Sequence, residues 1–316
     1  MKTFFVTLLA FAAVYVWAGR ARSTSASGQR QGEIRVETNL VEVLASVIDA
    51  HGEPVVGLTQ SQFELSEDNV PQKIVRFEAQ TNRPLDLVLM VDSSASEFED
   101  LRFEGDAAAH FIRQVVRPVD RLAVFEFDED VTELDDFSNN VPKLQQTVRF
   151  IRPGSGTSMY DAIVLASNEL KKRPSGRRRA MILVTDAGET TSDDSFEDAR
   201  RAAISSEALL YPIIVRVVKS ENGRNTAGEH ALITIQNDTG GAMFFLDNVK
   251  QINSVFDQID RELRTQYLIG YYPTPQPPPG SYRQIELKVK SGDLIHYRKG
   301  YFAAGAPSQF QPFRPR

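Results

Sequence analysis

The sequence predicts an α/β protein: a doubly wound, mostly parallel sheet inserted into a small β-sandwich built from both flanks of the chain. Three observations carry this expectation. Between residues 84 and 264, short apolar runs alternate with segments of helical period, the texture of strands joined by helical crossovers. On either side, residues 33–82 and 265–303 show no helical period and read as short strands separated by turns. Neither flank is long enough to bury a core alone, because very small units need staples, and the chain of 316 residues has no cysteine. Pairing the two flanks into one sandwich is the economical solution.

Taken in order, the N-terminus reads as an export signal. Lys2 precedes the apolar run Phe4 to Ala18, and "VWA" at 16–18 places small residues at a cleavage point. That run is shorter than the ~20 residues needed to span a bilayer, so an uncleaved anchor, the one membrane contact in view, is the second reading. Residues 19–32, "GRARSTSASGQRQG", are polar and aperiodic and predict a disordered leader. With no cysteine there is neither a disulfide nor a lipid-bearing Cys. A secreted animal domain of this size would more often carry disulfides, so the expected location is the bacterial envelope, periplasmic or extracellular.

In the first flank, "IRVETNLVEVLASVID" is a β-branched strand and "AHGEP" a turn. "SQFELSEDNVPQKIVRFEAQ" predicts two strands joined through "EDNVP". From Leu85 the texture changes. "LDLVLMVD", "RLAVFEF", "RAMILVTD", "ALLYPIIVRV" and "GAMFFL" predict strands, with "VTELDDF" a short edge strand. Helices are expected over Glu97–Val116, with Phe111, Ile112, Val115 and Val116 on one face. Others fall on "PKLQQTVRFI", "SMYDAIVLASNELKK" and about 194–208, 228–237 and 250–264. After Arg264 three strands return in "TQYLIGYYP", "SYRQIELKVK" and "DLIHYRKGYF". The first two are joined by the stiff "PTPQPPPG", and residues 304–316 form a disordered tail.

Two of the predicted strands end in carboxylates, Asp92 and Asp186. In open α/β sheets ligands bind where the loops leave the carboxyl ends of the strands. There "VDSSAS" adds Ser94 and Ser96, "VTDAGE" carries Asp186, and "GSGTSMYDA" adds Thr157. Two carboxylates and three hydroxyls make an all-oxygen site suited to a hard divalent cation, Mg²⁺ or else Mn²⁺ or Ca²⁺. So few anionic groups leave room for an outside ligand. Gly156 would let Thr157 turn its hydroxyl inward, and Asp161 is expected to support the loops or face solvent.

Other chemistries find less support. Net charge of −6 and few basic clusters argue against nucleic acid. The basic run "GRRRA" at 176–180 reads as a solvated cap before a buried strand. "PGSGTS" lacks the Lys of a phosphate-binding loop. The four histidines have no zinc-site spacing, and no serine sits in G-x-S-x-G. The acidic "FDEDVTELDDF" reads as a solvated edge hairpin, with a weak second Ca²⁺ site or an acidic rim as the alternative. Asp193 and Asp194 are expected to cap the helix that follows.

Asp92, Ser94 and Ser96 in D-x-S-x-S, then Thr157, then Asp186, together resemble the metal-ion-dependent adhesion site of von Willebrand factor A domains. The resemblance covers roughly residues 84–264. It implies that Ser94, Ser96 and Thr157 touch the metal directly, and that Asp92 and Asp186 act directly or through water. One departure is Ala187, where the family usually has Gly. The layout, from "DAHGEPVVGLTQSQFELSEDNVPQKIVRF" to "YLIGYYP…YRQIELKV…RKGYF", is similar to bacterial proteins with such domains typical of acidobacteria. The leading expectation is a non-enzymatic binding module, to which a protein partner supplies an Asp or Glu carboxylate. The alternatives are a metal-assisted hydrolase and an envelope scaffold with a structural metal site.

Overall fold

The computed structural model describes residues 40–94, 98–215 and 225–304. The export signal, the leader, the start of the first flank, Ser96 and residues 305–316 lie outside the described residues. No helix among those described is long and apolar enough to cross a membrane.

The central sheet is built on β5 (Leu85–Asp92), whose eight residues are all buried. β5 lies between β6 (Arg121–Phe127) and β8 (Arg178–Thr185), both parallel to it. Outside β8 come β9 (Leu209–Val215) and β10 (Phe244–Leu246), also parallel. β7 (Val131–Ser138) closes the other edge antiparallel to β6. The order is therefore β10-β9-β8-β5-β6-β7. A strand covered on both faces can be apolar throughout, and β5 shows the division residue by residue. Leu85, Leu87, Leu89 and Val91 face a core shared with α1 (Phe98–Val115), α2 (Val141–Arg149) and α6 (Ile252–Arg264). Val88 and Met90 face the opposite core, shared with α3 (Met159–Lys172), α4 (Phe196–Ser206) and α5 (Thr226–Thr239). In the first core Phe111 stacks on Phe256 with ring centroids 4.6 Å apart.

The flanks form two antiparallel sheets, and each sheet draws on both ends of the chain. One has the order β13-β1-β11-β4, the other β14-β12-β2-β3. From the first flank come β1 (Val41–Ile48), β2 (Phe63–Glu67), β3 (Val70–Pro71) and β4 (Ile74–Glu78). From the second come β11 (Tyr267–Tyr271), β12 (Tyr282–Val289), β13 (Leu294–Tyr297) and β14 (Gly300–Phe302). Along β12, Ile285, Leu287 and Val289 point inward and alternate with exposed neighbours, as a half-buried strand should. They meet Val43, Phe63, Leu65, Tyr267 and Ile269 in a third core. Within it the fully buried Glu67 carboxylate accepts from Tyr271 Oη at 2.7 Å, Tyr301 Oη at 3.0 Å and Arg283 Nε at 2.9 Å. The α/β unit enters after β4 and returns at β11, two strands that pair with each other.

Four sequence expectations need correction. "SQFELSEDNVPQKIVRFEAQ" makes three strands, because the β2–β3 hairpin is followed by β4 in the opposite sheet. "DLIHYRKGYF" likewise splits into β13 and β14, one in each sheet, so that Tyr297 and Tyr301 both reach the core. "VTELDDF" lies in a full eight-residue edge strand that runs on to Ser138, and its Asp135 is buried against Lys143 and Thr147. The run at 176–180 is no solvated cap: Arg178 is 3% exposed and donates to the carbonyls of Arg83 and Leu263 and to Gln266 Oε1.

β1 depends on both β11 and β13, so removing residues 265–316 leaves its edges unpaired and one apolar face bare. Limited proteolysis of the truncated protein should cut readily within 41–78 and slowly within 85–264. Equal protection of both regions would refute the shared sandwich.

Candidate metal centre

Three loops converge at the carboxyl end of the central sheet. The first leaves β5 at Asp92 and is tied down at once. Ser93 N donates to Phe127 O at 2.9 Å, and Ser93 O accepts from Gly154 N at 2.7 Å. The second is the stretch before α3. Gly156 takes φ +74°, a backbone state that costs a side-chain-bearing residue energy, and the turn directs Thr157 toward the third loop. The third loop follows β8 and is stitched to the second in both directions. Thr157 N donates to Thr190 Oγ1 at 2.9 Å, and Thr157 O accepts from Thr190 N at 2.9 Å. Glu189 Oε2 accepts from Tyr160 N at 3.0 Å, placing a carboxylate at the first turn of α3.

This arrangement brings Asp92, Ser94, Thr157 and Asp186 together, and Ser96 lies outside the described residues. Asp92, Ser94 and Thr157 are all buried, at 2%, 6% and 5% exposure. Asp92 Oδ1 accepts from Ser94 N at 3.0 Å, and its Oδ2 accepts from Thr185 Oγ1 at 2.6 Å. Thr185 is in turn held by Ala187 N at 3.0 Å. Asp186 Oδ1 accepts from Gly188 N at 2.7 Å. A Cβ placed on Gly188 would lie 2.9 Å from Asp186 Oδ1 and 3.2 Å from Thr157 Oγ1, so these two oxygens face one small space.

Electrostatics at Asp92 match a cation site. Burial pushes its carboxyl up from 3.8 to about 6; hydrogen bonds from Thr185 and Ser94 oppose the rise, and the negative charge of Asp186 adds to it. A buried carboxylate next to a second one is costly unless a positive charge joins them. The oxygen atoms available, from carboxylates and hydroxyls, are those a hard divalent cation prefers. Asp92, Ser94, Thr157 and Asp186 therefore fit such an ion.

Several supporting residues were not singled out in the sequence. Thr185 orients Asp92 from a neighbouring strand. Glu189 clamps the third loop to α3, and Asn225 Nδ2 reaches Asp186 O at 3.5 Å. Thr185 and Glu189 flank Asp186 in the chain, but only the fold shows where their side chains turn. Asp161 supports the loops, accepting from Asp193 N at 3.0 Å and Asp194 N at 2.8 Å. The expectation that Asp193 and Asp194 cap α4 is corrected: the cap is Ser195, in a reciprocal box with Asp198. The acidic run forms the β6–β7 hairpin at the sheet edge. Among the described residues no group of three or more His, Cys, Asp or Glu is placed to hold a metal ion, there or elsewhere.

Ala187, the departure from the family pattern, sits at φ +65°. Its carbonyl is accommodated by Gly228 on α5, where a Cβ would come within 2.0 Å of Ala187 O.

Residues 87–189 match the family model described as the von Willebrand factor type A domain. Among solved structures, the chain is similar to the BatB protein of Bacteroides thetaiotaomicron. Identity there is 16%, coverage 57% of this chain and 100% of that one, and the TM-score 0.46. It is similar to the vWF domain of the type V pili tip protein Mfa5 from Porphyromonas gingivalis, at 13% identity. That match covers 57% and 95% of the two chains, with a TM-score of 0.47. A von Willebrand factor type A protein from Catenulispora acidiphila matches at 10% identity over 84% of this chain and 74% of its own, with a TM-score of 0.49. A comparison with curated proteins finds no match.

Two predictions arise from this geometry. Without divalent metal, the folded protein keeps the Asp92 proton up to about pH 6, whereas the ordinary value is 3.8. Folding therefore takes up a proton between those values, and stability falls as pH rises through that window, by up to about 3 kcal/mol. Asp92→Asn should abolish that slope, giving a higher urea midpoint than wild type at pH 7.5 in EDTA and a similar one at pH 4. Parallel pH profiles would sink the assignment. Secondly, Ala187→Gly should stabilise by about 1 kcal/mol by removing left-handed strain, and Gly228→Ala should destabilise by about 1–3 kcal/mol, both read by thermal melting. The chain thus contains a von Willebrand factor type A domain, matched over residues 87–189 and lying within the doubly wound sheet.

Proposed function

We propose that this protein is an exported, divalent-metal-dependent binding module rather than an enzyme, and that its partner is a protein. In this reading Asp92, Ser94, Ser96, Thr157 and Asp186 hold Mg²⁺, with Mn²⁺ or Ca²⁺ as substitutes. When bound, the cation supplies an open coordination position for an Asp or Glu carboxylate of the partner. The observation that carries the reading is the buried Asp92, raised to about 6 by burial and by Asp186, in an oxygen-only cluster. Two carboxylates do not exhaust the coordination of a hard cation.

The chain's own residues do the positioning. Thr185 and the Ser94 amide hold both oxygens of Asp92 in place. The double link between Thr157 and Thr190 fixes the distance between the second and third loops. A rigid set of this kind loses little entropy on binding, which favours recognition of a single carboxylate. Export rests on Lys2 and the apolar run that follows it.

Calorimetry should show one dominant Mg²⁺ or Mn²⁺ site on residues 33–316, and Asp92→Ala should remove it. The same ion should raise the melting temperature of wild type by mass action and leave Asp92→Ala unmoved. Unchanged binding in that variant would overturn the site. Pull-down from envelope extract with and without EDTA tests the partner: capture that ignores EDTA contradicts a metal-completed contact.

A further inference from the structure

At the end of the central sheet opposite the candidate metal centre, the α/β unit meets the sandwich around a cavity of about 200 Å³. Five arginines line it: Arg83, Arg177, Arg178, Arg179 and Arg298. They come from the approach to β5, the start of β8 and the turn between β13 and β14. The carboxylates on its wall are Glu42 and Glu207, so positive charge dominates in a chain whose net charge is −6.

Both wall carboxylates are already engaged. Glu42 takes a two-pronged contact from Arg83 at 2.7 and 3.0 Å. Glu207 takes Arg298 Nη1 at 2.8 Å. Arg177 is satisfied by Asp86, just outside the cavity, at 2.7 Å. Arg178 and Arg179 are different. Among the described residues neither has a carboxylate within ion-pair distance, and both donate only to neutral acceptors. Arg179 reaches the carbonyls of Ser206 and Arg173 at 3.0 and 3.1 Å. Burial lowers the Arg178 guanidinium to about 10; Asp120 counteracts this and the like charges of Arg264 and Arg117 add to it. It stays charged at neutral pH.

Two donors are left over. Arg179 Nε and Arg298 Nε are shielded from solvent and have no hydrogen-bond partner among the described residues, and Arg298 as a whole is 7% exposed. A buried charged donor without an acceptor costs about 1–3 kcal/mol or more, so native proteins rarely tolerate one without a bound water or ion. Water would satisfy the geometry but not the charge. At roughly 30 Å³ of liquid per water, the cavity has room for an ion of several heavy atoms. Guanidinium forks match tetrahedral oxyanions in shape as well as in charge.

We propose that this cavity is a binding site for a small free tetrahedral oxyanion of the phosphate or sulfate class, held by Arg178, Arg179 and Arg298. Arg178 and Arg179 belong to the α/β unit and Arg298 to the sandwich, so the anion ties the two together.

The test is calorimetry and thermal melting of the full chain with inorganic phosphate or sulfate. It is run in EDTA, against sodium chloride at equal ionic strength. Saturable binding of phosphate or sulfate is expected, with a higher melting temperature than in chloride. Arg179→Gln should weaken that binding at least tenfold. Glu207→Gln removes a competing negative charge at an exposed helix end and should tighten it severalfold, which locates the site even if the arginine variant folds poorly. No saturable binding, or equal affinity in wild type and Glu207→Gln, overturns the proposal.

Discussion

One constraint organises the molecule: β5 is buried on both faces and yet ends in a carboxylate. The strand must be apolar throughout to sit between two helical layers, and Leu85 to Val91 meet that demand except at Asp86, which Arg173 and Arg177 neutralise. At its other end, among the described residues, Asp92 meets the hydroxyls of Thr185 and Ser94, the Ser94 amide and the like charge of Asp186. The strand therefore delivers a buried carboxylate into a sheltered corner. The loops that close that corner, from "GSGTS" to "DAGETTS", are held by hydrogen bonds running from loop to loop more than within each loop. Fold stability and site geometry are in that sense the same set of contacts.

The opposite end of the sheet solves the reverse problem. Here guanidiniums are buried, and most are met by backbone carbonyls or by carboxylates such as Asp86 on β5 and Glu42 in the first flank. Glu67 plays the matching part inside the sandwich, where two tyrosine hydroxyls and Arg283 surround it. The groups that answer these buried charges are distant in sequence. Such contacts contribute to a unique arrangement of the layers more than to net stability, since desolvation offsets much of the attraction.

The site was largely legible in the sequence and the junction was not, for a physical reason. Asp92 and Asp186 follow uninterrupted apolar runs, so their place at strand ends follows from local pattern, and a hydroxyl loop between them narrows the chemistry. Arg178 also adjoins an apolar run, but its burial depends on Leu263 and Gln266, eighty-five or more residues away. No local window contains that information. The split of "DLIHYRKGYF" into two sheets was hidden in the same way. Tyr297 and Tyr301 look alike in sequence, and only the partners of β13 and β14, Ala45 and Gln284 among them, separate their strands. Thr185 and Glu189 adjoin the predicted motif, yet what each side chain grips is set by the neighbouring strand and by α3.

The pairing of β4 with β11 has a mechanical consequence. Glu78 lies opposite Leu268, so the strands that lead into and out of the α/β unit are anchored side by side at the same end. A pull on that unit, away from the sandwich, loads both strands in one direction and does not peel one from the other. The resisting bonds are those between β11 and β1, which run across the line of force over five residue pairs from Val41 to Ala45. They must yield together in shear, whereas a hairpin opened from its end would unzip bond by bond. The insertion thus mounts the α/β unit on a two-legged bracket suited to bearing tension.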